Sequence, residues 1–143
     1  MIVLDTDHLS ELQHPHSSRG VPLAERLQQQ GDRPIATTIV TAEEQLRGRL
    51  ATINKRPAGP EQVMHYTKLI KLLEFLARWL ILPFDQRAAQ RFHDLRAAKI
   101  RIGTMDLKIA AIVLTHQWTL LSANLRDFRL VPGLSVEDWL AEA

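Results

Sequence analysis

Ile2-Val3-Leu4-Asp5-Thr6-Asp7-His8-Leu9 opens the chain, and its reading decides the fold. Three consecutive apolar residues leave neither face of a strand polar. Such a strand belongs inside a sheet covered on both sides, the usual setting of parallel strands. The run stops at a carboxylate. Asp7 is placed to cap a short helix over residues 7–13, with Leu9 and Leu12 three apart.

The alternation recurs outward from there. Residues 14–20 form a loop, and Pro22 suits the first turn of a helix that carries Leu23 and Leu27 and stops near Gly31. The β-branched run over residues 35–40 predicts a second strand. Thr41 followed by Glu44 has the spacing of a capping box, which opens a helix past Leu46 and Leu50 towards Ile53. Residues 56–60 break it. A long helix is expected over 61–79, with Val63, Leu69, Ile70, Leu72, Leu73, Leu76 and Leu80 on a broad apolar face. A third strand follows over 80–84, kept short by Pro83, and then a helix over 86–98. Ile102-Gly103 is a turn, and Thr104 caps a helix to about His116. Strands over 119–122 and 134–136 complete the pattern. Strands alternating with helices at this spacing predict an α/β fold: a central, mainly parallel sheet of four to five strands flanked by helices, in one domain over residues 1–143.

Composition narrows the chemistry. The chain has 143 residues, 45% hydrophobic and 24% charged, which suits a globular core and excludes low-complexity classes. It contains no cysteine, so disulfides, thiolate metal sites and a cysteine nucleophile are excluded. The net charge of +2 permits nucleic-acid contact without requiring it. The longest greasy stretch, residues 69–84, is interrupted by Lys71, Glu74 and Arg78, and the N-terminus has no signal-peptide pattern. The expectation is a cytoplasmic chain with no membrane partner.

The position of the acids is more telling. Asp5 ends the first strand, Glu44 and Asp106 fall in the first turns of two helices, and Asn124 and Asp127 follow the fourth strand. In an open α/β sheet these places share one edge, where ligands bind. Each acid alone has a simpler role, as a cap, a capping-box partner or a complement to a helix dipole. Together they form a cluster that needs neutralising. Two like charges about 4 Å apart repel by roughly 4 kcal/mol at an effective dielectric of about 20. Either the carboxyl pKa values rise or a cation sits among them. Oxygen donors without cysteine suit Mg²⁺ or Mn²⁺, and such a centre suits phosphodiester hydrolysis.

At this point the chain resembles the PIN-domain ribonucleases of the VapC toxin type. The matching pieces include Leu4-Asp5-Thr6-Asp7-His8-Leu9-Ser10, Glu44-Gln45-Leu46-Arg47-Gly48, Gly103-Thr104-Met105-Asp106, Ser122-Ala123-Asn124-Leu125-Arg126-Asp127-Phe128 and Val131-Pro132-Gly133-Leu134, in family order along nearly the whole chain. The resemblance implies a PIN-like three-layer fold and a metal-dependent endoribonuclease. Asp5, Glu44 and Asp106 are then the acidic core that holds Mg²⁺ or Mn²⁺, and Asn124 or Asp127 completes it. Glu44 is preferred to Glu43 because the family glutamate stands four positions before the glycine, here Gly48. The resemblance further implies an RNA substrate such as tRNA or rRNA, a VapB-like antitoxin and a homodimer. One residue departs from the pattern: Asp7 stands where the family usually has Asn, and its extra carboxylate either tightens metal binding or opposes phosphate approach.

The remaining features have two readings each. Arg47, Arg49, Lys55 and Arg56 are a phosphate-binding run or a solvated helix face. Arg96, Lys99 and Arg101 precede the Asp106 segment and are better placed to meet a substrate. Lys108, one turn inside that helix, contacts phosphate or balances nearby acids. His8, His14 and His16 match no familiar ligand spacing and are expected on the surface. Trp79, Trp118 and Trp139 are core or interface anchors. Two rival functions remain. Leu4-Asp5-Thr6-Asp7 resembles the nucleophile motif of haloacid-dehalogenase-type phosphatases, although the late acidic pair of that family is missing. A non-catalytic PIN-like module binding RNA or protein is the other; the intact Asp5, Glu44 and Asp106 set argues against it.

Overall fold

The computed structural model describes residues 1–14 and 16–141, so the expectation for the 14–20 loop lies outside the described residues at Pro15. The order of elements is β1 (Ile2–Leu4), α1 (Thr6–Leu12), α2 (Gly20–Gln28), β2 (Ile35–Thr38), α3 (Ile39–Asn54), a 3-10 turn (Pro60–Gln62), α4 (Val63–Leu76), β3 (Leu80–Leu82), α5 (Gln86–Ala97), α6 (Thr104–His116), β4 (Thr119–Leu121), α7 (Leu125–Phe128) and β5 (Ser135–Glu137).

The five strands form one sheet in the order β3-β2-β1-β4-β5, and every pairing is parallel. β1 lies at the centre, with Val3 opposite Ala36 on one side and Leu120 on the other. Its side chains alternate between layers, as strand geometry requires. Val3 joins Val40, Leu82, Ala88, Ile109, Val113 and Phe128 in one core. Ile2 and Leu4 join Leu9, Leu23, Leu27, Leu72 and Leu76 in the other. All three β1 residues are buried, which is why the strand reads as unbroken apolar sequence.

Helix boundaries differ from the sequence expectation in a consistent way. Asp5, not Asp7, caps α1, its Oδ1 accepting from the Thr6 N–H at 2.7 Å. β2 ends at Thr38, whose Oγ1 accepts from the Thr41 N–H at 3.0 Å. Thr38 is therefore the cap of α3, and Glu44 lies in the second turn rather than a capping box. Gly103 precedes α6, so Thr104 is its first residue and not its cap. The long helix expected over 61–79 is a 3-10 turn followed by α4, of which only Leu72 and Leu76 are buried; Val63, Met64, Tyr66, Ile70 and Leu73 are exposed.

The order reverses at β1, where the chain builds outward through β2 on one side and β4 on the other. A crevice at the carboxyl ends of β1 and β4 follows from this topology. It is there that the chemistry-bearing residues gather.

Candidate functional site

Asp5 leaves β1 directly into the crevice and is only 6% exposed. Its Oδ2 accepts from the hydroxyl of buried Ser122, at the end of β4, at 2.8 Å. Thr6, the first residue of α1, reaches across to α3, its Oγ1 standing 3.4 Å from Glu44 Oε2. The other oxygen of Glu44, Oε1, is buried with no hydrogen-bond partner among the described residues. Asp106, in the first turn of α6, accepts from Asn124 Nδ2 at 3.0 Å, and the same amide nitrogen stands 3.2 Å from Asp127 Oδ2. The amide nitrogen of Asn124, rather than its oxygen, thus faces the carboxylates.

The fold therefore brings Asp5, Glu44, Asp106, Asn124 and Asp127 to one edge from β1, α3, α6, the end of β4 and α7. Their electrostatics record the crowding. Burial, then the charge of Asp7, pushes the Asp5 carboxyl up from 3.8 to about 7, against the Ser122 hydrogen bond. Burial and the charge of Asp106 raise Glu44. Burial also raises Asp106; the Asn124 hydrogen bond opposes this, and the charges of Asp127 and Asp7 add to it. An all-oxygen donor set with raised carboxyls and a buried, unpartnered Glu44 oxygen fits a hard divalent cation. Among the described residues, though, no three carboxylate or imidazole groups stand close enough together to hold a metal ion as they are placed.

Asp7 is a different kind of residue from the other acids. Its Oδ1 accepts from both the His8 N–H at 2.7 Å and His8 Nδ1 at 2.6 Å. Its Oδ2 accepts from the Ala123 N–H at 2.9 Å. Burial pushes this carboxyl up, but the bonds from the His8 ring and the Ala123 N–H outweigh it and leave Asp7 below the usual carboxylate range. Asp7 thereby ties α1 to the end of β4 beside Ser122. His8 is not a surface residue: it is fully buried, and its Nε2 accepts from the Trp139 N–H at 3.0 Å. Sequence reasoning missed Thr6 and His8. A neighbouring Asp-His pair was the only signal for His8, because its other partner lies 131 residues away.

The basic residues divide. Arg47 pairs with Glu43 at 2.5 Å. Arg96 donates to Thr104 Oγ1 at 2.9 Å and lies over the Phe92 ring, and Lys108 lies over Phe84 rather than against the acids. Trp139 is half-buried under the Arg26 guanidinium, 3.9 Å from its ring centre.

Ribonuclease VapC1 of Rickettsia felis is 37% identical over 86 residues, covering 54% of this chain and 64% of that protein. The tRNA(fMet)-specific endonuclease VapC of Salmonella typhimurium is 33% identical over 86 residues, covering 57% of this chain and 65% of that protein. The matched segments thus span just under two thirds of these relatives' lengths. Among solved structures, VapBC-1 from nontypeable Haemophilus influenzae superposes with a TM-score of 0.72 at 22% identity, covering 99% of this chain and 100% of that one. VapBC2 from Rickettsia felis, bound to a DNA fragment from their promoter, gives 0.71 at 24% identity, covering 97% and 99%. At these identities the structural likeness concerns the fold. The PIN domain model matches residues 2–134, and the chain, with its five-stranded parallel sheet and acidic crevice, belongs to the PIN-domain family.

Proposed function

We propose that this chain is a Mg²⁺- or Mn²⁺-dependent endoribonuclease, the toxin of a toxin–antitoxin pair, acting in the cytoplasm. The observation that carries the reading is the convergence of Asp5, Glu44 and Asp106 from three separate elements, with raised carboxyls and a buried Glu44 oxygen that has no protein partner among the described residues. Asp5, Glu44 and Asp106 would hold the cation, with Asp127 completing the set, or Asn124 once its amide is turned to present the oxygen. A bound divalent cation supplies charge neutralisation at the phosphate and a more acidic water.

The protein's own groups do the positioning. Ser122 fixes Asp5 through its hydroxyl, and Thr6 fixes Glu44. Asn124 bridges Asp106 and Asp127 by donating to both. Asp7, spoken for by His8 and Ala123, braces the crevice wall rather than facing substrate. That role disfavours the phosphatase reading, which needs a free acid/base at Asp7. The names of the related ribonucleases, one of them a tRNA endonuclease, support RNA as substrate, with tRNA or rRNA favoured. The exposed apolar side chains of α4 offer surface for a second copy and for an antitoxin.

Incubation of total bacterial RNA with purified protein tests this. Discrete fragments are expected with Mg²⁺ or Mn²⁺, and none with EDTA or with Asp106→Ala. Equal behaviour of wild type and variant in every condition overturns the reading.

A further inference from the structure

We propose that a basic groove running from the acidic crevice across α1, α3 and α4 is the track that holds the phosphates of the RNA strand on one side of the cut. The inference rests on the nuclease reading and adds to it a binding site.

The groove has two connected parts. The first, about 260 Å³, adjoins the crevice through Thr6, the residue bonded to Glu44, and continues past Ser10, Gln45 and Gly48 to Arg49. The second, about 450 Å³, shares Gln13, Arg49 and Leu72 with the first and adds His14, Lys68, Lys71 and Phe75. Lys68, Lys71, Leu72 and Phe75 are spaced three, four and seven apart on α4, which puts them on one helix face.

Charge accounting favours a polyanion here. A phosphodiester strand must approach a site bearing Asp5, Asp7, Glu44, Asp106 and Asp127, on a chain whose net charge is only +2. A cation held by Asp5, Glu44 and Asp106 would offset that charge at the cut itself, and basic side chains beside the site would draw in the flanking phosphates. Arg47 is committed to Glu43, Arg96 to Thr104 and the Phe92 ring, and Lys108 to the Phe84 ring. Arg49, Lys68 and Lys71 have no ion-pair partner among the described residues; nor do Lys99 and Arg101, but it is Arg49, Lys68 and Lys71 that line the groove.

Gly48 is a second observation. It sits inside α3, where glycine costs roughly 1 kcal/mol relative to alanine. Its φ is not in the left-handed region, and a Cβ built there meets nothing within 4 Å. Neither backbone nor packing calls for glycine, so what its bare backbone provides is an unobstructed floor. The uncharged row of Ser10, Gln13 and Gln45, linked by the bonds of Gln45 to both neighbours, suits ribose hydroxyls and base edges between the phosphate contacts. Continuity with the acidic crevice favours that site's own substrate over an acidic peptide.

The test is binding of a fluorescein-labelled single-stranded RNA, followed by anisotropy in EDTA across a KCl series. It compares wild type with the triple variant Arg49→Gln, Lys68→Gln, Lys71→Gln and with Gly48→Leu. The triple variant is expected to bind on the order of tenfold more weakly at low salt, with its log–log salt slope shallower by about 2, at about 0.7 per lost phosphate contact. Gly48→Leu should weaken binding while raising the urea midpoint. Wild-type affinity and slope in both variants overturn the proposal; if wild type still cleaves RNA, the nuclease reading stands without it. Loss in the variants of poly-glutamate binding, with RNA binding untouched, also overturns it and makes the groove a protein site. A wild type that neither binds nor cleaves RNA removes both.

Discussion

Replacing Asp5 by Asn should make the cation-free protein more stable above neutral pH while reducing what it gains from a divalent cation. Burial and the neighbouring Asp7 charge move the Asp5 carboxyl from 3.8 to about 7. At 1.36 kcal/mol per pKa unit, the ionised group at pH 8 costs the native state about 4 kcal/mol. The sign follows from proton counting. Between about pH 4 and 7 the native chain keeps a proton that the unfolded chain has released, so stability falls as pH rises through that window and levels off above it. The substituted asparagine carries no charge and is itself a good helix cap, so the Thr6 N–H keeps its acceptor. Allowing about 1 kcal/mol for a poorer bond to Ser122, Asp5→Asn should be more stable than wild type by about 3 kcal/mol at pH 8 and no more stable at pH 4. Glu44 and Asp106 are raised as well, so the variant keeps a smaller slope of the same sign. Urea unfolding followed by tryptophan fluorescence in EDTA, from pH 4 to 8, measures this. Wild type should then gain about 2.7 kcal/mol from Mn²⁺ at a hundred times its dissociation constant, and the variant far less. An Asp5→Asn protein that is less stable than wild type at pH 8, or that has the same pH slope, refutes the claim that repulsion and burial at Asp5 are relieved by a cation.

Other substitutions probe the supports. His8→Ala removes a fully buried ring, leaves Asp7 one bond short and orphans the Trp139 N–H; it should cost about 3 kcal/mol in urea unfolding. Gln117 ends α6 in a left-handed conformation at φ 57°, so Gln117→Gly should gain about 1 kcal/mol and raise the melting temperature, because glycine adopts that conformation without penalty. Thr6→Val keeps the shape but removes the hydroxyl beside Glu44. It should leave stability within about 1 kcal/mol while raising the metal concentration needed for half-maximal RNA cleavage.

What the sequence made legible was whatever depended on local pattern. Ile2-Val3-Leu4 announced a doubly covered strand, and the three-apart leucines of α1 announced a helix behind it. The acids could be placed on one edge because strand ends and helix starts share that edge in any such sheet. Helix starts were less legible, for an instructive reason. Thr38 and Thr41 stand at opposite ends of the same hydrogen bond, so the sequence showed the pair but not which member was outside the helix. Asp5 and Asp7 posed the same ambiguity. The apolar sequence of α4 overstated its burial, since periodicity does not reveal which side meets a neighbour. His8 was out of reach because its burial depends on the chain returning at Trp139 after crossing the whole sheet. The orientation of the Asn124 amide, with nitrogen towards Asp106, is likewise a product of tertiary packing.

The central claim is that side chains from β1, α3 and α6 form one divalent-cation site. Mn²⁺ binding measured by electron paramagnetic resonance tests it most directly, comparing wild type with Asp5→Asn, Glu44→Gln and Asp106→Asn. A saturable site is expected in wild type, weakened at least about tenfold by each substitution, since a lost charged ligand exceeds about 1.4 kcal/mol. Binding of equal affinity in all four proteins would contradict it.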